Sequence, residues 1–514
     1  MFILTCNSLL RSAVLILLYL ISSQLRAQST VSSTGLVPPK FSFEQIQAIR
    51  SPELGQLVFD TSFKCLRMYN GKNWVSLVQN NSLETIGYTF SASGVERGYA
   101  IAIDNNKNIY ITGSFAGIIT FNGAYHQSLG EDDVFTAKFN NTGTLQWIKF
   151  GKGRGYDTGR AIAVDTNGNV FVTGDFYEKI NFDDKNLVAA RTEDIFIVKY
   201  DTNGNLMWAE AEGGERTDQG TGIAVDASGN VFLTGFFTST STFGNQTLTA
   251  MGGSIDFFIA KYDPNGNLLW IEQEGGSGND ISSSISLDYT GNIYIAGRFD
   301  GQCTFGSNTV LSSVDNSLDI FVARYNPSGQ LVWVEQEGGA TNDFALGISV
   351  DVYFNVYVTG CFSGTATFGT NTKLTSRGGL DIFIARYNNG FSAVRQIGGA
   401  SNEYPRAISA NIHFGGVTIT GNFQNSCTVD NLITLQSAGQ EDIFVLKYSS
   451  NLDKIEWAER FGELYNDYGQ SIVTDTSGNT YVTGYYSGQV LFGNLTLPAA
   501  SNQDISMFFL RIRK

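Results

Sequence analysis

Seven acidic side chains recur at one position of this 514-residue sequence: Glu96, Asp157, Asp218, Asp280, Asp343, Glu403 and Asp467. Each stands five residues ahead of an isoleucine in an apolar stretch. Two kinds of chemistry suit such a set. Carboxylates brought together bind hard cations, and Ca2+ tolerates irregular oxygen geometry. Carboxylates in loops also accept hydrogen bonds from backbone N–H groups of their own turn or a neighbouring one. Their appearance in every repeat argues for the backbone role. A site for a cation or a cationic ligand is the functional alternative, and it makes Ca2+ the one cofactor left open.

A second set, Asp133, Asp194, Asp256, Asp319, Asp381, Asp442 and Asp504, opens a later apolar stretch of each repeat. A base follows: Lys138, Lys199, Lys261, Arg324, Arg386, Lys447 and Arg511. These bases are expected to pair with the acids that close the first stretch, such as Asp165 and Asp226. Trp147, Trp208, Trp270, Trp333 and Trp457 share one position, where packing between repeats is the expectation. Asp201-Thr-Asn-Gly-Asn205 lacks the ligand spacing of an EF-hand loop and reads as a hairpin turn. The two histidines, His126 and His413, fall at opposite ends of the repeat, so no nucleophile–base pair and no metal site forms around them. No catalytic residue is assigned. Cys65, Cys303, Cys361 and Cys427 fit no zinc spacing and are expected to be mostly unpaired, with a Cys303–Cys361 bridge as the alternative.

What positions these residues is a repeat. A strand, a polar turn and a second strand ending in Thr-Gly or a close variant occur seven times. The glycines are Gly113, Gly174, Gly235, Gly297, Gly360, Gly421 and Gly484, separated by 61, 61, 62, 63, 61 and 63 residues. In the second unit, Ala161–Val164, Val170–Val172, Asp194–Tyr200 and Leu206–Ala209 are β-branched or aromatic runs bounded by Asn/Asp/Gly turns. Four antiparallel strands in such a period make one propeller blade. The seventh unit ends after its third strand. The missing fourth strand is expected to be Leu83–Phe90, closing the ring and leaving no open edge. The fold class predicted is all-β: a seven-bladed propeller over 82–514.

The phrases Asp-x-x-Gly-Asn-apolar-Tyr/Phe-Val-Thr-Gly, Asp-apolar-Phe-apolar-x-Lys/Arg-Tyr and Gly-x-Leu-x-Trp resemble the seven-bladed β-propeller (SBBP) repeat family. Unit five departs at Phe354 and lacks the tryptophan; unit six departs at Asn411–Gly415. The resemblance implies binding and scaffolding outside the cell or at its surface, with no single activity. It also puts the seven acids on the face where each first strand begins, here termed the leading face.

Outside the repeats, Arg11 precedes the apolar run Ala13–Ile21, which is too short to span a bilayer, and Leu25-Arg-Ala27 offers a cleavage site. Residues 1–27 therefore read as a signal peptide and 28–40 as a linker. Residues 41–80 read as a small module with one short helix and three strands, resembling modules near the N-terminus of bacterial surface and fibre-like proteins. It is expected to dock on the propeller or on another chain. A net charge of −15 argues against nucleic acid and anionic membrane surfaces. The expected function is non-enzymatic binding of a protein or carbohydrate at the cell surface by a monomeric propeller. The alternatives are a Ca2+-dependent lectin-like module and a carboxylate-based polysaccharide lyase or hydrolase.

Overall fold

A computed structural model describes residues 30–512, apart from short stretches before residue 91 and residues 122–123, 412–414, 493–494 and 498–504. The chain divides into two compact units, 1–80 and 81–514.

The larger unit is all-β and follows the repeat. In unit two, Thr158–Val164, Val170–Phe182, Lys185–Tyr200 and Leu206–Gly214 pair in succession, each antiparallel to the next. Asp165 shapes the first turn. Its Oδ1 accepts from Asn167 N (2.8 Å) and Asn169 N (2.9 Å), while Gly168 takes φ +81°. Left-handed backbone of this kind suits glycine.

The Thr-Gly signature has a geometric cause. The register shifts between Gly159 and Ala161, and a Cβ on Gly174 would collide with the Thr158 carbonyl oxygen. Thr173 Oγ1 donates to Phe196 O at 2.8 Å, and the same bond recurs from Thr112, Thr234, Thr359, Thr420 and Thr483.

Units interlock in two ways. The first strand of each unit lies beside the first strands of the units before and after it, and that of unit seven, Asp467–Thr474, lies beside that of unit one, Ser91–Ile103. The end of each described fourth strand, from unit one to unit five, pairs with the second-to-third-strand hairpin of the next unit, as Gly213–Gly214 does with Ser241–Thr242. Buried clusters straddle the junctions. Ile101, Ile111 and Phe135 of unit one pack with Tyr481, Met507 and Phe509 of unit seven. Ile86–Tyr88 runs antiparallel to Phe509–Arg511, beside the strand that ends the last unit.

Packing of the repeated tryptophan between repeats is as expected, while other expectations change. Trp147 packs against Tyr110 and Tyr200, and its indole N–H donates to Thr202 O of the next unit at 3.2 Å. The bases do not pair with Asp165 and its equivalents. Lys138 Nζ and Lys199 Nζ donate to carbonyl oxygens of Thr202 and Pro264 in the following unit, both at 2.8 Å, and lie over the rings of Tyr110 and Phe171. The carboxylate they were assigned is already saturated by its own turn. In unit seven, Ser506 rather than Asp504 takes the place of the third-strand acid, because Tyr486 faces Ser506 as Phe176 faces Asp194. Asp504 and His413 lie outside the described residues.

In the smaller unit, Lys40–Phe41, Leu57–Asp60, Cys65–Tyr69 and Trp74–Ser76 form a four-stranded sheet. The first of these strands, two residues long, runs parallel to the second. Residues 28–40, expected as linker, contain a hairpin of Thr30–Ser32 with Gly35–Val37, consistent with the β-branched Thr30, Val31 and Val37.

Candidate functional site

The repeated acids are buried. Asp218, the clearest case, accepts from Gly214 N (2.7 Å), Thr238 N (3.0 Å) and Ser241 Oγ (2.9 Å). Asp157 accepts from Tyr177 N, Asp343 from Ser363 N, Glu403 from Gly399 N and Asp467 from Glu463 N, each within 3.0 Å. The third-strand acid of the preceding unit approaches the same glycines: Asp194 and Asp218 both lie against Gly213, and Asp442 and Asp467 against Gly462. Each such junction therefore holds two carboxyls around a backbone crossing. Burial pushes them up, Asp157, Asp280 and Glu403 to about 8 and Asp218, Asp343 and Asp467 to about 7. The neighbouring carboxyl adds to the effect, as Asp194 does on Asp218. No group of three or more His, Cys, Asp or Glu among the described residues is arranged to hold a metal ion. Cys303, Cys361 and Cys427 are buried free thiols, and the Cys303–Cys361 bridge is not formed; the Cys65 side chain lies outside the described residues.

One residue past each of these acids, the chain stops repeating. A single cross-strand pair per unit occupies this register, joining the first strand to the residue after the repeated glycine. The pairs are Arg97–Ser114, Thr158–Asp175, Gln219–Phe236, Ile281–Arg298, Phe344–Cys361, Tyr404–Asn422 and Tyr468–Tyr485. No two are alike. Alternation along a strand turns these side chains to the face opposite the buried acid, and the first-strand member is partly exposed in every unit. Tyr99, Arg160 and Arg406 stand close by on the same strands.

These residues join into a polar, aromatic cluster over units six, seven, one and two. Tyr485 meets Tyr468 (ring centroids 4.9 Å) and Tyr99 (6.3 Å, edge-on), with the Arg97 guanidinium 6.0 Å from its ring. Arg97 pairs with Asp132 at 3.4 Å, and Arg160 forks onto Asp175 through Nε and Nη2. Arg406 donates to Asn422 Oδ1 (3.2 Å), whose amide donates to Glu441 (2.6 Å), and lies over the Tyr404 ring. Burial raises the hydroxyls of Tyr99, Tyr404 and Tyr485, and that of Tyr468 to about 12, so they stay protonated donors at neutral pH. The arrangement offers guanidinium and hydroxyl donors between flat rings.

No repeated residue marks this cluster in the sequence. The signal was the opposite: a position of changing identity beside one that never changes.

Residues 146–175, 269–298 and 456–485 match the Beta-propeller repeat family, SBBP, and the chain carries that repeat. Residues 21–89 match the Phage tail like trimerisation region. An uncharacterized WD repeat-containing protein of Acanthamoeba polyphaga mimivirus is 26% identical, over 65% of this chain and 30% of its own length. The regulatory protein FlaEY of Caulobacter vibrioides is 22% identical over 64% of this chain and 36% of its own length. The chain thus spans about a third of the length of these relatives. A quinohemoprotein alcohol dehydrogenase from Comamonas testosteroni is similar in structure, with a TM-score of 0.39 and 10% identity over 85% of this chain and 78% of that one.

Proposed function

From a chain that carries SBBP β-propeller repeats, we propose a closed seven-bladed propeller that binds a ligand at its leading face without transforming it. The observation that carries this reading is the register of unlike pairs. Most buried positions repeat in kind from unit to unit, whereas the partly exposed first-strand members of these pairs, Arg97, Thr158, Gln219, Ile281, Phe344, Tyr404 and Tyr468, do not. Uniform positions are what a packed fold requires, and variable exposed ones are what recognition uses. The repeated carboxyls are too buried to meet a substrate, which supports binding over carboxylate catalysis.

Residues 1–27 direct the chain out of the cell as a cleaved signal, and the leading face meets a protein or carbohydrate there. Residues 28–80 hold the chains together. The match to a trimerisation region supports a trimer joined through this segment. Sedimentation of residues 28–514 is expected to give a trimer and of residues 81–514 a monomer; a monomer for both would remove the trimeric part of the reading.

The binding test compares two variants on a panel of surface polysaccharides and proteins. Arg406→Ala/Tyr485→Ala is expected to abolish capture of whichever partner the wild type retains. Asn167→Ala, in a turn at the opposite face, is expected to leave it intact. The reverse pattern would move the site to the other face.

A further inference from the structure

Four arginines stand at the cross-strand register or two residues beyond it: Arg97, Arg160, Arg298 and Arg406. Three have acceptors, in Asp132, Asp175 and Asn422. Arg298 has none among the described residues. It is partly buried, its strand neighbours in register are Ile281 and Ile320, and its guanidinium sits 5.8 Å from the centre of the Phe344 ring. Withdrawal from water disfavours its charge, and no carboxylate offsets this. Leaving a desolvated cation unpaired costs stability. At the corresponding position the other units carry Ser114, Asp175, Phe236, Cys361, Asn422 and Tyr485, so the repeat does not require an arginine there.

A ligand group that would complete Arg298 is a planar oxyanion, because the guanidinium fork matches a carboxylate through two parallel N–H bonds. The four cations at this register or two residues beyond it are all arginine. The lysines of the repeat, such as Lys138 and Lys199, sit at the opposite ends of the strands. Between the arginines lie the part-exposed rings of Phe344, Tyr404, Tyr468 and Tyr485. Rings with hydroxyl edges present a flat apolar face and a polar rim, the complement of a pyranose with its C–H face and hydroxyl edge. Carboxylates carried on pyranoses fit both features at once; an acidic peptide would use the arginines and leave most of the rings idle.

Resting on the reading of the leading face as the binding site, we infer that the ligand is an acidic polysaccharide of uronate units and that Arg298 takes one of its carboxylates.

The test is calorimetric titration of residues 28–514 with hexamers of galacturonate, mannuronate and glucuronate, with neutral galactose and mannose hexamers, and with hexaglutamate. Wild type is compared with Arg298→Gln, Arg298→Lys and Tyr485→Ala. At least one uronate hexamer is expected to bind and the neutral hexamers not. Arg298→Gln is expected to weaken that binding about ten-fold or more, the scale of one charge-assisted pair, and Arg298→Lys to restore only part of it. Melting of Arg298→Gln should match or exceed wild type, since an unpaired desolvated charge is removed, which separates lost recognition from lost fold. Failure of every uronate, binding of hexaglutamate alone, or uronate binding indifferent to Arg298→Gln would each overturn the inference. Neutral hexamers that bind and are lost with Tyr485→Ala would overturn it while keeping the leading-face site. Binding that no leading-face substitution touches would overturn both.

Discussion

A buried carboxyl that accepts backbone N–H bonds but lacks a cation has two ways to reduce its cost: hold a proton or hold a metal. For the junction acids the first course is the expected one, since burial lifts Asp157, Asp280 and Glu403 to about 8 and Asp218, Asp343 and Asp467 to about 7. In the unfolded chain the same groups ionise near pH 4. The folded state therefore binds more protons between about pH 4 and pH 8, and stability falls as pH rises through that window. Melting at pH 5.5 is expected several degrees above melting at pH 8.5, and millimolar Ca2+ is expected to add nothing over EDTA. A Ca2+-dependent rise at pH 8.5 would instead make the junctions cation sites. Loss of acceptors is costly in either case. Asp218→Ala orphans Gly214 N and Thr238 N and should lower stability by about 2–4 kcal/mol in denaturant unfolding. These roles were half legible from sequence: repetition marked the acids as structural, but their pairing across units depends on which strands neighbour one another in space.

Turns and strands were the most legible elements, because each carries a local cause. The Asp-x-x-Gly-Asn turn is one: the acid caps two N–H groups and the glycine takes positive φ. Unit five breaks the rule. Phe354 stands in the glycine's place at φ +61°, its ring 5.1 Å from that of Tyr289, while Tyr289 and Tyr353 are 71% and 66% exposed. A bulky residue held in left-handed backbone stores strain. Phe354→Gly is expected to raise stability by about 1 kcal/mol; a loss would mean that the Tyr289 contact outweighs the strain. What sequence could not give is pairing between distant stretches with weak local signals. The two-residue strand Lys40–Phe41 has too few side chains to show a period, and the hairpin at 30–37 sits in a segment of linker-like composition. The strand before unit one was legible only because the last unit lacked one. Deleting residues 28–90 should expose the edge of Ile505–Ile512, lower the melting temperature and promote self-association. A deletion that leaves melting unchanged would contradict the proposed closure.

At the scale of the molecule, sevenfold repetition separates construction from recognition. The buried Thr-Gly steps, capped turns and straddling clusters recur because every junction poses the same packing problem. The cross-strand pairs on the leading face do not recur, and there the chain gathers Arg97, Arg160 and Arg406 among tyrosines and sets Arg298 over the Phe344 ring, although its net charge is −15. The most direct measurement of this division is a two-readout alanine scan of residues 28–514. One set replaces the partly exposed first-strand members of the cross-strand pairs, and the other replaces the repeated threonines Thr173, Thr234, Thr359 and Thr420. Melting temperature and ligand capture are read for each. The account predicts that the first set loses capture at nearly unchanged melting and that the second loses melting in proportion to any loss of capture. Pair substitutions that unfold the chain as readily as the threonines do, with capture lost only through unfolding, would contradict it.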